Sequence, residues 1–257
     1  MAISVVSNMA SLRAQSNLAK TTSEMTGHVE RLSSGLRINK AGDDAAGSSI
    51  SSQMTAYEKS LKQAERNAND AISVVQTAEG AMNEVVGILQ RMRELAVQGA
   101  NEGIMDTTER GYIDQEFQLL ESELDRIVQV TEYNGQKLVN GAISTGMDFQ
   151  IGMRNSADDR MSITISSATS TSLGISDDSL STASNAQQAI DALDTALESV
   201  NTARGTLGAT QNRLSLTLNN LGVMHESMAA GNSRIKDLDV AEETAAFTRS
   251  QILQQAG

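Results

Sequence analysis

A chain of 257 residues with 2% aromatics, no tryptophan and no cysteine has little of the material that builds enclosed ligand pockets, and none for disulfides, thiolate nucleophiles or Cys-ligated metals. Asp and Glu number 32 against 20 Lys and Arg, a net charge of −12, and no basic run offsets the excess, which disfavours nucleic acid and anionic membrane surfaces as partners. Proline is absent, which removes the residue most damaging to a helix interior and points to long helices.

Along the chain, the first segment lacks the uninterrupted apolar stretch of a secretory signal. A loose apolar pattern runs from Ile3 to Leu18, and Met25, Val29, Leu32 and Leu36 continue at helical spacing. Residues 1 to 40, like 236 to 257, are Ser/Thr/Gln-rich and sparse in large apolar side chains. Such segments are marginal as isolated helices and are expected to be disordered in the monomer and to order on assembly. The "GDDAAGSS" stretch (42 to 49) has two glycines five apart but no following lysine, and Asp43 and Asp44 would repel phosphate. It reads as a turn in which Asp43 or Asp44 caps the helix that follows.

From Ile50 a heptad pattern takes over. Met54, Tyr57, Leu61, Ala64, Ala68, Ala71, Val75, Ala78, Met82, Val85, Leu89, Met92, Ala96 and Gly99 recur in steps of three and four, the mark of a left-handed coiled-coil seam. Residues around Gly103 turn the chain back. A shorter helix is expected from about Thr107 to Val130, with Ile113, Phe117, Leu120, Leu124 and Ile127 on one stripe and Asp106 or Thr107 as N-cap. Between Tyr133 and Ser184 the texture becomes Ser/Thr-rich with Asn-Gly at 134–135 and 140–141. Here "MDFQIGM" and "MSITIS", where Met161, Ile163 and Ile165 alternate with polar residues, predict a β-hairpin turning within "RNSADDR". A second seam follows: Leu193, Ala196, Val200, Ala203, Leu207, Thr210, Leu214, Thr217, Leu221, Met224, Met228, Gly231, Ile235 and Leu238, with the register slipping beyond it.

The fold class is therefore mainly α: a long antiparallel coiled-coil rod built from N- and C-terminal segments, with a small β-hairpin region in the middle. Five parts are expected: 1–44, 45–138 and 139–183, then 184–235 and 236–257. They are an N-terminal helix, the first half of the rod, the hairpin region, the second half of the rod and a C-terminal helix. No segment approaches the ~18 consecutive apolar residues of a membrane span, so membrane insertion is not expected.

Catalytic chemistry is not apparent. His28 and His225 lie in separate helical segments without a neighbouring Cys or His, so they read as helix-face histidines and not metal ligands. Acidic runs such as "ESELDR" read as solvated helix faces. Neither cofactor nor metal is expected, and an enzyme is not. The Ser/Thr tract 162 to 184 offers hydroxyls for O-linked sugar, which composition leaves open.

Several ordered motifs carry a family resemblance: "RLSSGLRINKAGDDAAGSSIS" (31 to 51), "QRMRELAVQGAN" (90 to 101), "YNGQKLVNG" (133 to 141), "LGATQNRL" (207 to 214) and "AAFTRSQILQQAG" (245 to 257). Together they resemble the two ends of bacterial flagellin over about four fifths of the chain. The resemblance implies a self-assembling filament subunit for swimming motility, secreted through the flagellar type III apparatus to the extracellular flagellum. It implies terminal helices that form an inner tube and a helical pair that surrounds it. It implies an export chaperone, cap and junction proteins as partners, and recognition of the monomer by the flagellin-sensing Toll-like receptor. By the same resemblance the contact residues are Gln90, Arg91, Glu94, Leu95 and Gln98, with Glu116 on the following helix. Residues 139 to 183 leave no room for large outer domains, and family members generally continue beyond "QILQQAG", so the C-terminal helix is expected to be shortened here. A hook-filament junction protein or another helical secreted protein is the alternative. From Leu89 into "QRMRELAVQGAN" the seam takes Leu89, Met92, Ala96 and Gly99. Leu95 and Val97 fall off it, where they are expected to be exposed and to meet a neighbouring copy.

Overall fold

The computed structural model describes residues 8–176 and 178–256, so the start of the apolar pattern at Ile3 lies outside the described residues. About three quarters of the backbone is helical. The elements are α1 (Met9–Ser34), α2 (Ala45–Gly99), α3 (Thr107–Val130), β1 (Glu132–Tyr133), β2 (Gln136–Lys137), β3 (Met147–Gln150), β4 (Arg160–Ile163), α4 (Ser170–Leu173), α5 (Ala183–Lys236) and α6 (Val240–Ala256). They form two compact units. Residues 61–222 make one, and the residues up to 60 together with those from 223 onward make the other.

In the 61–222 unit, α2 and α5 pair through the two seams. Every α2 seam position from Leu61 to Gly99 is buried, as are Leu193, Ala196, Val200, Ala203, Leu207, Leu214 and Leu221 of α5. The second seam starts earlier than its sequence pattern indicated, because Ala183, Ala186 and Ala189 are buried too. The helices run antiparallel, with Arg93 pairing to Asp194 at 2.6 Å and Gly99 facing Ala186. Alanines at many seam positions let the axes approach closely, and each buried Leu, Val or Met contributes roughly 1.5 to 3 kcal/mol. One boundary needs correction. Ile50 is exposed and Met54 and Tyr57 only half-buried, so the fully buried seam begins at Leu61 and not at Ile50.

α3 begins where Asp106 forms a capping box: its carboxylate accepts from the backbone of Thr108 and Glu109, and the Glu109 side chain accepts from the Asp106 N–H. Its stripe of Ile113, Phe117, Leu124 and Val128 is buried in the same apolar core as α2. α2 meets that core with a second row the seam did not announce. Val74, Ala81 and Leu95 are buried and Ile88 packs against them, each seven residues from the next.

Beyond α3 the chain makes two small antiparallel hairpins. β1 and β2 join through Asn134 and Gly135, both at positive φ (50° and 78°), the backbone of a tight two-residue turn for which Asn-Gly is suited. β3 and β4 pair Met147 with Ile163 and Phe149 with Met161, as the alternation of "MSITIS" indicates, and Met161, Ile163 and Ile165 are buried. The connection includes a short 3-10 turn at Ala157–Asp159. Two α3 carboxylates hold this region. Asp125 accepts from the Ser170 N–H and hydroxyl at 2.8 and 2.7 Å. Asp114 accepts from the Leu180 N–H at 2.6 Å and the Ser179 hydroxyl at 3.1 Å.

In the other unit α1 packs against α6, and the start of α2 against the end of α5. α1 ends at Gly35 in the left-handed conformation (φ 71°), which glycine adopts without a Cβ penalty. The chain then meets the junction after α5: Arg37 N–H donates to the Lys236 carbonyl at 2.7 Å and Leu238 N–H to the Gly35 carbonyl at 3.1 Å. Asp43 accepts from the Asn39 and Lys40 N–H groups, and Asp44 from the Gly47 N–H, so Asp44 is the cap of α2 and Asp43 braces the turn before it. α6 is capped by Asp239, whose carboxylate accepts from Ala241 and Glu242 N–H, where the seam register slips. Asn232 joins the Ser51 hydroxyl (2.7 Å), the Thr55 hydroxyl (3.1 Å) and the Glu58 carboxylate (3.2 Å).

In the terminal segments, expected to order on assembly, the described residues form the helices α1 and α6. Polar contacts join the two: the His28 ring nitrogen lies 2.7 Å from the Glu243 carboxylate, and Arg31 lies 3.6 Å from it. Apolar burial contributes little. α1 buries none of its described residues, and Ile38 is the one buried hydrophobic residue among the described residues of this unit.

Candidate contact face on α2 and α3

The stretch 90–101 closes α2. Gln90, Arg91, Glu94 and Gln98 are exposed on its outer side. Arg91 sits between two acids: its Nε and one terminal nitrogen donate to Glu116 of α3 at 3.0 and 2.7 Å, and the other to Glu94 at 3.0 Å. The Glu116 hydrogen bonds are the main reason the Arg91 guanidinium is raised above its ordinary pKa, with Glu94 adding to them. Sequence separation alone did not require these residues to meet. The turn after α2 and the packing of α3 bring Glu116 to Arg91, one planar fork against a carboxylate.

Leu95 requires a correction. Expected to be exposed, it is 2% exposed and part of the core. One helical turn after Arg91, it lies on the side of α2 that α3 covers, so the helix packed through Phe117 and Ile113 takes away its solvent. Val97 is exposed as expected, at 50%. It lines a shallow depression with Gln90, Arg93 and Glu94. Arg93, from the same depression, reaches across to pair with Asp194 of α5, which holds the Asp194 carboxyl below its ordinary pKa.

Arg110 was missed by the sequence reading. Only 7% exposed, it donates from Nε to the Gly99 carbonyl at 3.0 Å and from a terminal nitrogen to the Asn101 carbonyl at 3.1 Å. The first is a carbonyl at the C-terminal end of α2, which has no helical partner and carries partial negative charge, and the second lies in the turn just beyond. The face is thus fixed from below by Leu95, from the end by Arg110 and across to α3 by Arg91. An arginine in the first turn of a helix that follows a tight return is the signal that would have found it.

No group of His, Cys, Asp or Glu among the described residues is placed to hold a metal ion, and no described helix is long and apolar enough to cross a membrane. The arrangement is a surface: a row of exposed polar and charged side chains on a rigid helical base, with one exposed valine.

Two family models match the chain: the bacterial flagellin N-terminal helical region over residues 5–144 and the bacterial flagellin C-terminal helical region over residues 190–257. A flagellin of Halalkalibacterium halodurans is 42% identical over 97% of this chain and 91% of its own length. The flagellar filament 33 kDa core protein of Treponema phagedenis is 38% identical over 97% of this chain and 92% of its own. Among solved structures, the crystal structure of Bacillus cereus flagellin is similar at a TM-score of 0.54 and 31% identity, over 61% of this chain and 88% of that one.

Proposed function

The chain belongs to the bacterial flagellin family and is a structural subunit of the flagellar filament, and we propose that its copies are exported through the flagellar type III apparatus and close their exposed terminal faces on one another outside the cell. Export in this reading is assisted by a chaperone, and growth by cap and junction proteins. The observation that carries it is the terminal surface. Met9, Leu12, Leu18 and Val29 on α1, with Val240, Ile252 and Leu253 on α6, are exposed although they are apolar. Helices of this length with so little buried apolar area gain most of their stability from partners, and identical copies supply them. Electron microscopy of purified monomer after seeding is the test. Long tubular filaments are expected, whereas short caps or persistent monomer would favour a junction protein or another helical secreted protein.

A second reading concerns the α2–α3 face. We propose that the flagellin-sensing Toll-like receptor reads the monomer at Gln90, Arg91, Glu94, Gln98 and Glu116, with Leu95 supporting that face from beneath. The exposed row and the Arg91–Glu116 pair support it. In a receptor-reporter assay, Arg91→Ala monomer is expected to signal far less than wild type while its helical circular dichroism is unchanged. Signalling equal to wild type would remove the proposal.

A further inference from the structure

We propose that Asn134, in the turn between β1 and β2, is a site of self-modification: it loses its side-chain amide as ammonia through attack by the Gly135 nitrogen, and Asn140 is spared. The chain holds the Asn-Gly pair twice, at 134–135 and 140–141. As sequence the two pairs are equal, and their surroundings set them apart.

The chemistry belongs to the pair itself. The Gly135 nitrogen gives up its proton to water and bonds to the Asn134 Cγ, the Cγ–Nδ2 bond breaks, and Nδ2 leaves as ammonia, closing a succinimide ring. Water then opens the ring, and the nitrogen recovers a proton. Addition at Cγ yields aspartate, whereas addition at the main-chain carbonyl carbon yields isoaspartate, in which the chain runs on through the side-chain carbon. No oxidant or reductant takes part. Glycine favours the step because it has no Cβ to shield its nitrogen.

Ring closure needs rotation about the Cα–carbonyl bond of the asparagine, so the rate follows how easily the local backbone opens. At 134–135 little opposes it. Asn134 and Gly135 are exposed, a Cβ at Gly135 would touch nothing within 4 Å, and the Asn134 side chain has no hydrogen-bond partner among the described residues. Each flanking strand is two residues long, and so short a hairpin contributes little stability of its own. At 140–141 the same step is held back. The Asn140 side-chain oxygen accepts from the Ala142 N–H at 3.0 Å, and the Gly141 carbonyl accepts from the Ser144 N–H at 3.1 Å and the Ser144 hydroxyl at 2.8 Å. Val139 and Ile143 to either side are buried, and the Val139 carbonyl accepts from the Ala168 N–H at 2.9 Å. Opening there pulls on the apolar core, whereas opening at Asn134 frays a surface turn.

The two products act differently on the turn. Aspartate tolerates the left-handed φ of 50° at position 134 as asparagine does, so that form keeps the turn. Isoaspartate adds a backbone carbon for which a two-residue turn has no place. Either product makes a chain already at −12 more acidic by one charge. Loss of ammonia makes the change one-way, so the converted fraction records the age of a copy.

The test incubates the full chain in mildly alkaline buffer and cleaves it with trypsin after Arg126, Lys137 and Arg154, which places Asn134 and Asn140 in separate peptides, 127–137 and 138–154. Mass spectrometry reads loss of the amide, and labelling by an isoaspartate methyltransferase reads the rearranged product. In the folded chain Asn134 is expected to convert at least about tenfold faster than Asn140, the ratio given by about 1.4 kcal/mol of extra opening free energy, with the methyl label confined to 127–137. In urea the two are expected to convert at similar rates. Asn134→Asp is expected to melt at the wild-type temperature. Equal rates in the folded chain, a faster Asn140, or an Asn134 that converts only in urea overturns the proposal. A ratio that persists unchanged in urea also overturns it, because the fold then plays no part in the choice.

Discussion

Asp114 and Asp125 are eleven residues apart on α3, about three helical turns, and so project from the same side of the helix. Each accepts a backbone N–H and a serine hydroxyl from the returning chain. Those N–H groups belong to segments that lead into α4 and α5, where helical partners are lacking. Replacing either acid by Ala leaves a partly buried donor unpaired and is expected to destabilise the 61–222 unit by about 1 to 3 kcal/mol, seen as a lower urea midpoint with unchanged slope. A smaller effect accompanies acid. Asp43, Glu123 and Asp194 are held below their ordinary carboxyl pKa, Asp43 chiefly by the Lys40 N–H, Glu123 by Arg126 and Asp194 by Arg93. A carboxyl lowered in the folded state adds stability that is complete above the unfolded pKa and lost as pH falls through the folded one. Monomer melting is therefore expected to be flat near neutrality and to fall once pH drops below the usual carboxylate range near 4. Asp194→Asn should flatten part of that fall, and an unchanged acid limb would contradict the role given to Asp194.

At the level of elements, α2 carries two rows of apolar residues, one toward α5 and one toward α3. The distinction has a direct test. Leu95→Ala is expected to cost about 2 to 5 kcal/mol, as for other buried leucines, whereas Val97→Ala, two residues on and half exposed, should change melting little. Equal effects would mean that α3 does not cover α2 as described. The seam was legible in the residues because it repeats over many turns with polar residues between. The capping acids Asp106 and Asp44 were legible because Asp before a helix has one common use. The α3 row was not. Val74, Ala81, Ile88 and Leu95 also recur every seven residues, but a helix with one strong seam makes a second, weaker one resemble ordinary scatter, and only the turn at 100–106 decides which side α3 falls on. Arg110 escaped for a related reason. Its acceptors are backbone carbonyls, and no residue type in the sequence advertises a carbonyl. The contact residues Arg91 and Glu116 came from family resemblance, and their pairing became visible only with the turn in place.

For the whole molecule, apolar burial is distributed unevenly. Apart from Ile38, the buried hydrophobic residues described here all fall within 61–222. Local opening should therefore be easiest in the terminal unit. Amides of α1 and α6 are expected to exchange rapidly in the monomer and to become protected in filaments, a difference hydrogen-exchange mass spectrometry reads directly. Strong protection of both helices in dilute monomer would contradict the part assigned to assembly. The two rows of α2 also differ in how far away their partners lie along the chain. Arg91 meets Glu116 across 25 residues, whereas Arg93 meets Asp194 across 101. Closing the shorter loop loses less chain entropy, so the α2–α3 hairpin is favoured to collapse first and to offer α5 a ready surface. A chain that emerges N-terminus first would then hold a partly formed template before its second long helix arrives, and the order in which the molecule folds follows from which of two rows finds its neighbour sooner.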